Sequence, residues 1–138
     1  MKMKPLGFAG PIALAALLAL SSGAFGETVR TPIQSTVTLR GTSGGPQSSR
    51  CGYIDSQPDH QVQVTEAFTS LRFRVESGGQ PTLLIQSQSG QSECAMADGF
   101  SGGSIEIPGV WEQGTYSVYV GDRAGGNHTY TLSIRQQN

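Results

Sequence analysis

Beyond position 4 the chain has no lysine, it contains two cysteines and one tryptophan in all, and charged residues fill only 14% of its 138 positions. Each scarcity excludes something. The arginines after the leader, Arg30, Arg40, Arg50, Arg72, Arg74, Arg123 and Arg135, are scattered along the sequence and outnumbered by carboxylates, so no basic run exists to follow a phosphate backbone and nucleic acid is not an expected partner. No apolar stretch reaches the ~20 residues that cross a bilayer, so stable membrane insertion of the mature chain is not expected. There is no DxDxDG spacing for a calcium loop, no Gly-x-Ser-x-Gly elbow for a hydrolase nucleophile, and no CxxC for redox or zinc chemistry. After the first 26 residues the apolar positions do not recur convincingly with a helical period, so no helix is needed.

What is present begins with a leader. Lys2 and Lys4 precede an uncharged apolar run from Pro11 to Leu20, and Ala24 and Gly26 stand at the small-residue positions of a signal-peptidase site. Residues 1–26 are read as a signal peptide, cut before Glu27, which sends the chain to the periplasm or outside the cell. The remainder suits one domain with one core.

That remainder alternates with period two between breaks of Gly, Pro, Asn, Asp and Ser, as half-buried strands do. Residues 36–40, 60–65, 70–75, 82–86, 92–96, 104–108, 115–121 and 129–134 are the strand candidates. Leu71, Phe73 and Val75 define an inner face and Arg72 and Arg74 an outer one. Pro108-Gly109 is expected to end one strand, and the last two strands are expected to pair as a hairpin. About eight short strands with turn signals predict an all-β, antiparallel β-sandwich, jelly-roll-like. Residues 27–47 are read as an N-terminal strand and a Gly/Ser-rich linker, and 48–138 as the sandwich domain.

In an exported domain two cysteines are most simply read as one disulfide, Cys51 to Cys94, with both sulfurs inside; free thiols or a metal site are the alternatives. Closing that loop stabilises a fold by about 4 kcal/mol on the chain-entropy model.

The candidates for chemistry are few. Asp98 and Asp122 come nearest to calcium ligands, but isolated loop aspartates ordinarily form turns, so neither metal nor cofactor is expected. His60, beside Asp59, reads as a turn or surface histidine, and a triad built on it lacks any recognisable nucleophile. Trp111 either caps the core or stacks on a sugar. Arg72, Arg74 and Tyr119 should project outward and could share a recognition surface.

The stretches Pro81–Ile85, Gly114–Gly121 and Tyr130–Ile134 resemble the bacterial pre-peptidase C-terminal domain family, the likeness running over about residues 48–136. The resemblance implies a β-sandwich and matches Cys51 and Cys94 to a cysteine pair common in small exported variants. The family's acidic turn after the second cysteine is reduced here to Ala95-Met96-Ala97-Asp98-Gly99, which argues against calcium. It also implies a noncatalytic binding or accessory role without naming a ligand; the leading reading is a module that binds a protein or polysaccharide at the cell envelope. The competing readings are a small secreted hydrolase whose triad assembles only in three dimensions, and a purely structural envelope component.

Overall fold

The computed structural model describes residues 27–98 and 103–137, so the expected signal peptide and its cleavage site lie outside the described residues. Eleven strands occur in chain order: β1 (Thr28–Arg30), β2 (Val37–Thr42), β3 (Gln47–Ser49), β4 (Gly52–Ile54), β5 (His60–Val64), β6 (Thr69–Ser77), β7 (Pro81–Ser87), β8 (Ser92–Met96), β9 (Ser104–Trp111), β10 (Gly114–Asp122) and β11 (Thr129–Gln136). Among the described residues no helix is long and apolar enough to cross a membrane.

The strands form two sheets that face each other as a sandwich. In the first, β10 is the hub: β5 and then β1 lie on one side of it, β7 and then β8 on the other, and the β3–β4 hairpin joins through the pairing of Asp122 with Tyr53. Only β1 and β5 run parallel. The second sheet is antiparallel throughout, in the order β2-β11-β6-β9. Alternation assigns each side chain to a face. Val62, Val64, Leu83, Ile85, Tyr116, Val118 and Val120 point inward from the first sheet, against Leu39, Leu71, Phe73, Val75, Ile105, Ile107, Leu132 and Ile134 of the second, in one continuous core. Each such side chain withdrawn from water contributes about 1.5–3 kcal/mol, the main favourable term against chain entropy.

The additional strands relative to the sequence expectation are β1, β3 and β4, each three residues long and too short to display a period. Residues 27–47 supply β1 to the first sheet and β2 to the second, where Val37–Thr42 pairs with β11 over six positions. Two expectations are corrected. β9 does not stop at Pro108 but runs on to Trp111, with Pro108 paired to Arg72; a proline is tolerated because β9 is an edge strand whose other side needs no ladder bond. Nor are β10 and β11 a hairpin, since β10 pairs with β5, β4 and β7 while β11 pairs with β2 and β6. Their connection crosses from one sheet to the other.

The Cys51–Cys94 disulfide is formed, with Cα atoms 5.9 Å apart. It lies on the outer side of the first sheet rather than between the sheets: Cys94 pairs with Leu84, so the two share the face opposite to Leu83 and Ile85. Cys51, Ile54 and Leu84 make a satellite cluster there, against which Cys94 and Tyr119 pack. Cys51 is fully buried, Cys94 only partly so.

Candidate functional site

The outer face of the second sheet gathers arginines that the sequence keeps far apart. β11 is flanked by β2 and β6, and the register sets Arg135 directly opposite Arg72, and Arg40 beside Thr131 with Glu76 beyond it. Arg74 lies one step along β6 from Arg72, on the same side of the strand. Four of the seven arginines after the leader thus share one face with two carboxylates, Glu76 and Glu106. Those two are engaged: Arg72 Nη1 reaches Glu106 Oε1 at 3.3 Å, and Arg74 contacts Glu76 Oε2 at 3.1 Å and Glu106 Oε2 at 3.8 Å. Arg40 and Arg135 are exposed and, among the described residues, have no carboxylate within ion-pair distance. Four arginines against two carboxylates leave the face with a net positive charge that its own ion pairs compensate only in part, and Arg72 and Arg135 stand directly opposite each other, a like-charge pairing that is destabilising. Sequence scatter concealed it, because strands distant in the chain are neighbours in the sheet.

Tyr119 is not part of that surface. It alternates with the core residues Val118 and Val120 of β10 and therefore lies on the outer side of the first sheet, across the sandwich from Arg72 and Arg74. Trp111 caps one end of the core: its ring meets Phe73 and Tyr116 edge-on at 5.4 and 5.3 Å, and it is 8% exposed. Its indole N–H has no hydrogen-bond partner among the described residues, and the ring borders a groove of about 560 Å³ whose lining includes Ile85, Ser87, Gln91, Glu93 and Val110. Of the two readings of this tryptophan, core packing is the one its position fits.

Asp122 is a turn former. Its buried carboxylate accepts from the backbone N–H of Gln80 at 3.1 Å and of Ala124 at 2.8 Å, and His128 Nδ1 stands 3.3 Å away. Asp98 is exposed on the segment following β8. Among the described residues no three potential ligands cluster to hold a metal ion. Among the described residues no serine hydroxyl is hydrogen-bonded to the His128 ring; the nearby Ser43 is buried, and its Oγ accepts from the backbone N–H of His128 at 3.2 Å.

A second cluster escaped sequence reasoning. His60 is not at the surface but 3% exposed, with Nε2 2.7 Å from the Tyr130 hydroxyl and Nδ1 unpartnered. Burial lowers its pKa. Next to it, burial raises Asp59 to about 7, opposed by the Val120 N–H that it accepts and reinforced by the neighbouring Asp55 carboxyl. These groups line a hollow of about 410 Å³ with Arg40. The signal that could have marked His60 as buried is its parity with Val62 and Val64 in the alternating run of β5, whereas its partner Tyr130 comes from the other sheet and has no local signature.

With this geometry in view, the comparisons are informative at two levels. No protein-family model matches the chain. The "Uncharacterized protein Synpcc7942_2126" of Synechococcus elongatus is 38% identical over 127 residues, covering 89% of this chain and 92% of that one. Among solved structures, the pre-peptidase C-terminal domain of a Bacillus anthracis collagenase superposes with a TM-score of 0.53 at 22% identity, over 80% of this chain and 96% of that domain. That likeness shows a shared fold. A periplasmic inhibitor of g-type lysozyme from Aeromonas hydrophila superposes more loosely, with a TM-score of 0.47 at 16% identity over 83% of this chain and all of the other.

Proposed function

The chain belongs to the family of the Synechococcus elongatus protein Synpcc7942_2126, and we propose that it is a noncatalytic, exported binding module whose outer arginine face recognises an anionic component of the cell envelope. The observation that carries the proposal is the convergence of Arg40, Arg72, Arg74 and Arg135 on one sheet face, two of them without an ion-pair partner. The face is built on four hydrogen-bonded strands, so the backbone positions of its arginines are fixed relative to one another, and the long side chains of Arg40 and Arg135 are left to order on binding. Guanidinium groups present forked donors to carboxylate and phosphate oxygens, which suits an acidic polymer or an acidic protein surface. Noncatalytic action is supported by the His128 ring, which faces Asp122 and, among the described residues, has no serine hydroxyl hydrogen-bonded to it. Export follows from the leader read in residues 1–26, and the intact mass of the protein recovered from its host should correspond to a chain starting at Glu27.

Sedimentation with envelope fractions tests the arginine face. The parent should bind at 20 mM salt and lose most of its binding at 500 mM, because exposed charges are screened beyond ~4 Å at that ionic strength. Arg40→Ala combined with Arg135→Ala, which removes no ion pair and relieves the like-charge pairing of Arg135 with Arg72, should weaken binding several-fold without lowering the melting temperature. Equal binding by parent and double variant would overturn the assignment.

A further inference from the structure

The opposite face of the sandwich has a different chemistry. Across the first sheet the register aligns Thr28 with Gln61, Gln61 with Ser117, Ser117 with Gln86, and Gln86 with Ser92. One hydroxyl or amide from each of five adjacent strands therefore stands in a single row on the solvent side, while Val29, Val62, Val118 and Ile85 fill the core side of the same strands. At ~4.8 Å between strands the row is about 19 Å long. None of the five is charged, and Gln63 and Thr115 continue the pattern in the next row. Charges stand only at the ends, where Arg30 donates to Gln63 Oε1 at 3.0 Å and Arg50 donates to Ser92 Oγ.

The row leads into a hollow of about 250 Å³ that includes Gln86, Ser92, Leu84 and Tyr119 in its lining, with Arg50 and Asp55 among its other residues. Leu84 and Tyr119 are neighbours across β7 and β10 and sit over the disulfide cluster. The hollow thus combines an aliphatic and an aromatic surface with amide and hydroxyl groups at its side.

We infer that this face is a docking platform for a neutral polysaccharide, with one sugar ring seated in the Tyr119–Leu84 hollow and the chain lying across the Gln61–Ser117–Gln86 row. A sugar presents hydroxyls that both donate and accept, and a side-chain amide offers both functions at once, as does a serine or threonine hydroxyl. Its C–H face matches an aromatic ring with an apolar body and a polar tip. The row of five is uncharged and regularly spaced, with Arg50 and Asp55 confined to the hollow at its end, so along its length nothing selects an ionic partner, and an extended hydroxyl-bearing chain is the partner that replaces its water bond for bond. The inference shares with the preceding proposal the reading of the domain as a binding module, but it does not depend on the arginine face.

Depletion of the exported chain from solution by microcrystalline cellulose, chitin and insoluble α-glucan tests it. At least one should deplete the parent, with binding unchanged between 20 and 500 mM salt. Ser117→Arg, which sets a charge and bulk in the middle of the row, should reduce binding at least tenfold. Gln61→Ala with Gln86→Ala, a truncation of partly exposed side chains, should reduce it several-fold, and circular dichroism should show both variants folded. The Arg40→Ala/Arg135→Ala variant should bind the glycan as the parent does. Failure to bind all three glycans, binding that survives the double alanine change intact, or binding abolished by salt would each overturn the inference, and the last would return the interaction to the arginine face.

Discussion

At Asp59 the fold retains a proton that the unfolded chain releases. Its carboxyl titrates near 7 in the folded protein against an ordinary value of 3.8, so between roughly pH 4 and 7 the folded state binds the extra proton and this group's contribution to stability falls as pH rises. His60 acts with the opposite sign: its folded pKa is lowered, so its contribution is present above about pH 6.5 and is lost as pH falls below it. Asp59→Asn keeps an oxygen to accept from Val120 N–H and removes the ionisation facing Asp55. Thermal unfolding from pH 4 to 8 should show that the variant gains several degrees over the parent at pH 8 and loses that advantage at pH 4; parallel profiles would refute the assignment. A related residue-scale feature is Gly41. A Cβ there would sit 2.6 Å from the Tyr130 hydroxyl, so Gly41→Ala must displace the tyrosine from His60 and should cost about 1–3 kcal/mol in urea unfolding. Alternation placed His60 in phase with Val62 and Val64 and Tyr130 in phase with Leu132 and Ile134, but their meeting was not legible, because Tyr130 and Gly41 are neighbours in one sheet and His60 comes from the other. Trp111 was partly legible: its place before a strong strand suggested core packing, and its contacts with Phe73 and Tyr116 supply the reason.

Among the elements, alternation was sufficient wherever a strand has one wet and one dry face. β6 shows this most clearly, with Leu71, Phe73 and Val75 inside and Arg72 and Arg74 outside, as the periodicity predicts. Phe73→Ala should cost about 3–5 kcal/mol, since the ring is 1% exposed and the packed surroundings cannot collapse fully into the cavity. Alternation says nothing about which strands pair. β10 and β11 are consecutive and joined by a glycine-containing turn, yet they enter different sheets because each finds its ladder with strands much earlier in the chain. Proline 108 misled for a similar reason, since only the pairing pattern identifies β9 as an edge. The disulfide ties the turn before β4 to β8, elements that do not otherwise pair, across a sequence separation of 43. Its reduction should lower the unfolding free energy by about 4 kcal/mol on the chain-entropy estimate. Because the bond packs against Leu84 and Tyr119, reduction should also weaken glycan binding in the adjoining hollow before it disturbs the arginine face, which chemical denaturation followed by both binding assays would reveal.

For the molecule as a whole, the sandwich separates two chemistries by the thickness of its core. The arginine face belongs to the second sheet and the uncharged row to the first, and the core between them is continuous. The sequence reading treated Arg72, Arg74 and Tyr119 as one surface; the assignment of their strands to opposite sides becomes visible only once the two sheets are known. If both faces bind, the module can join a neutral glycan to an anionic envelope component, and the two interactions should respond differently to salt. Cellulose, chitin or α-glucan particles, whichever binds the parent, can be loaded with the exported chain and then offered fluorescent polygalacturonate as an acidic polymer. At 20 mM salt the polymer should be captured; at 500 mM it should be released while the module stays on the particle, because hydroxyl and amide contacts are not screened as exposed charges are. Arg40→Ala/Arg135→Ala should lose the polymer but not the particle, and Ser117→Arg should lose the particle and retain the polymer in solution. Sites separated by a rigid core with no shared partners should behave additively, so combining the three substitutions should abolish both interactions with no further penalty in melting temperature. Release of module and polymer together at high salt would mean that one ionic surface serves both ligands, and the two-faced arrangement would then be wrong.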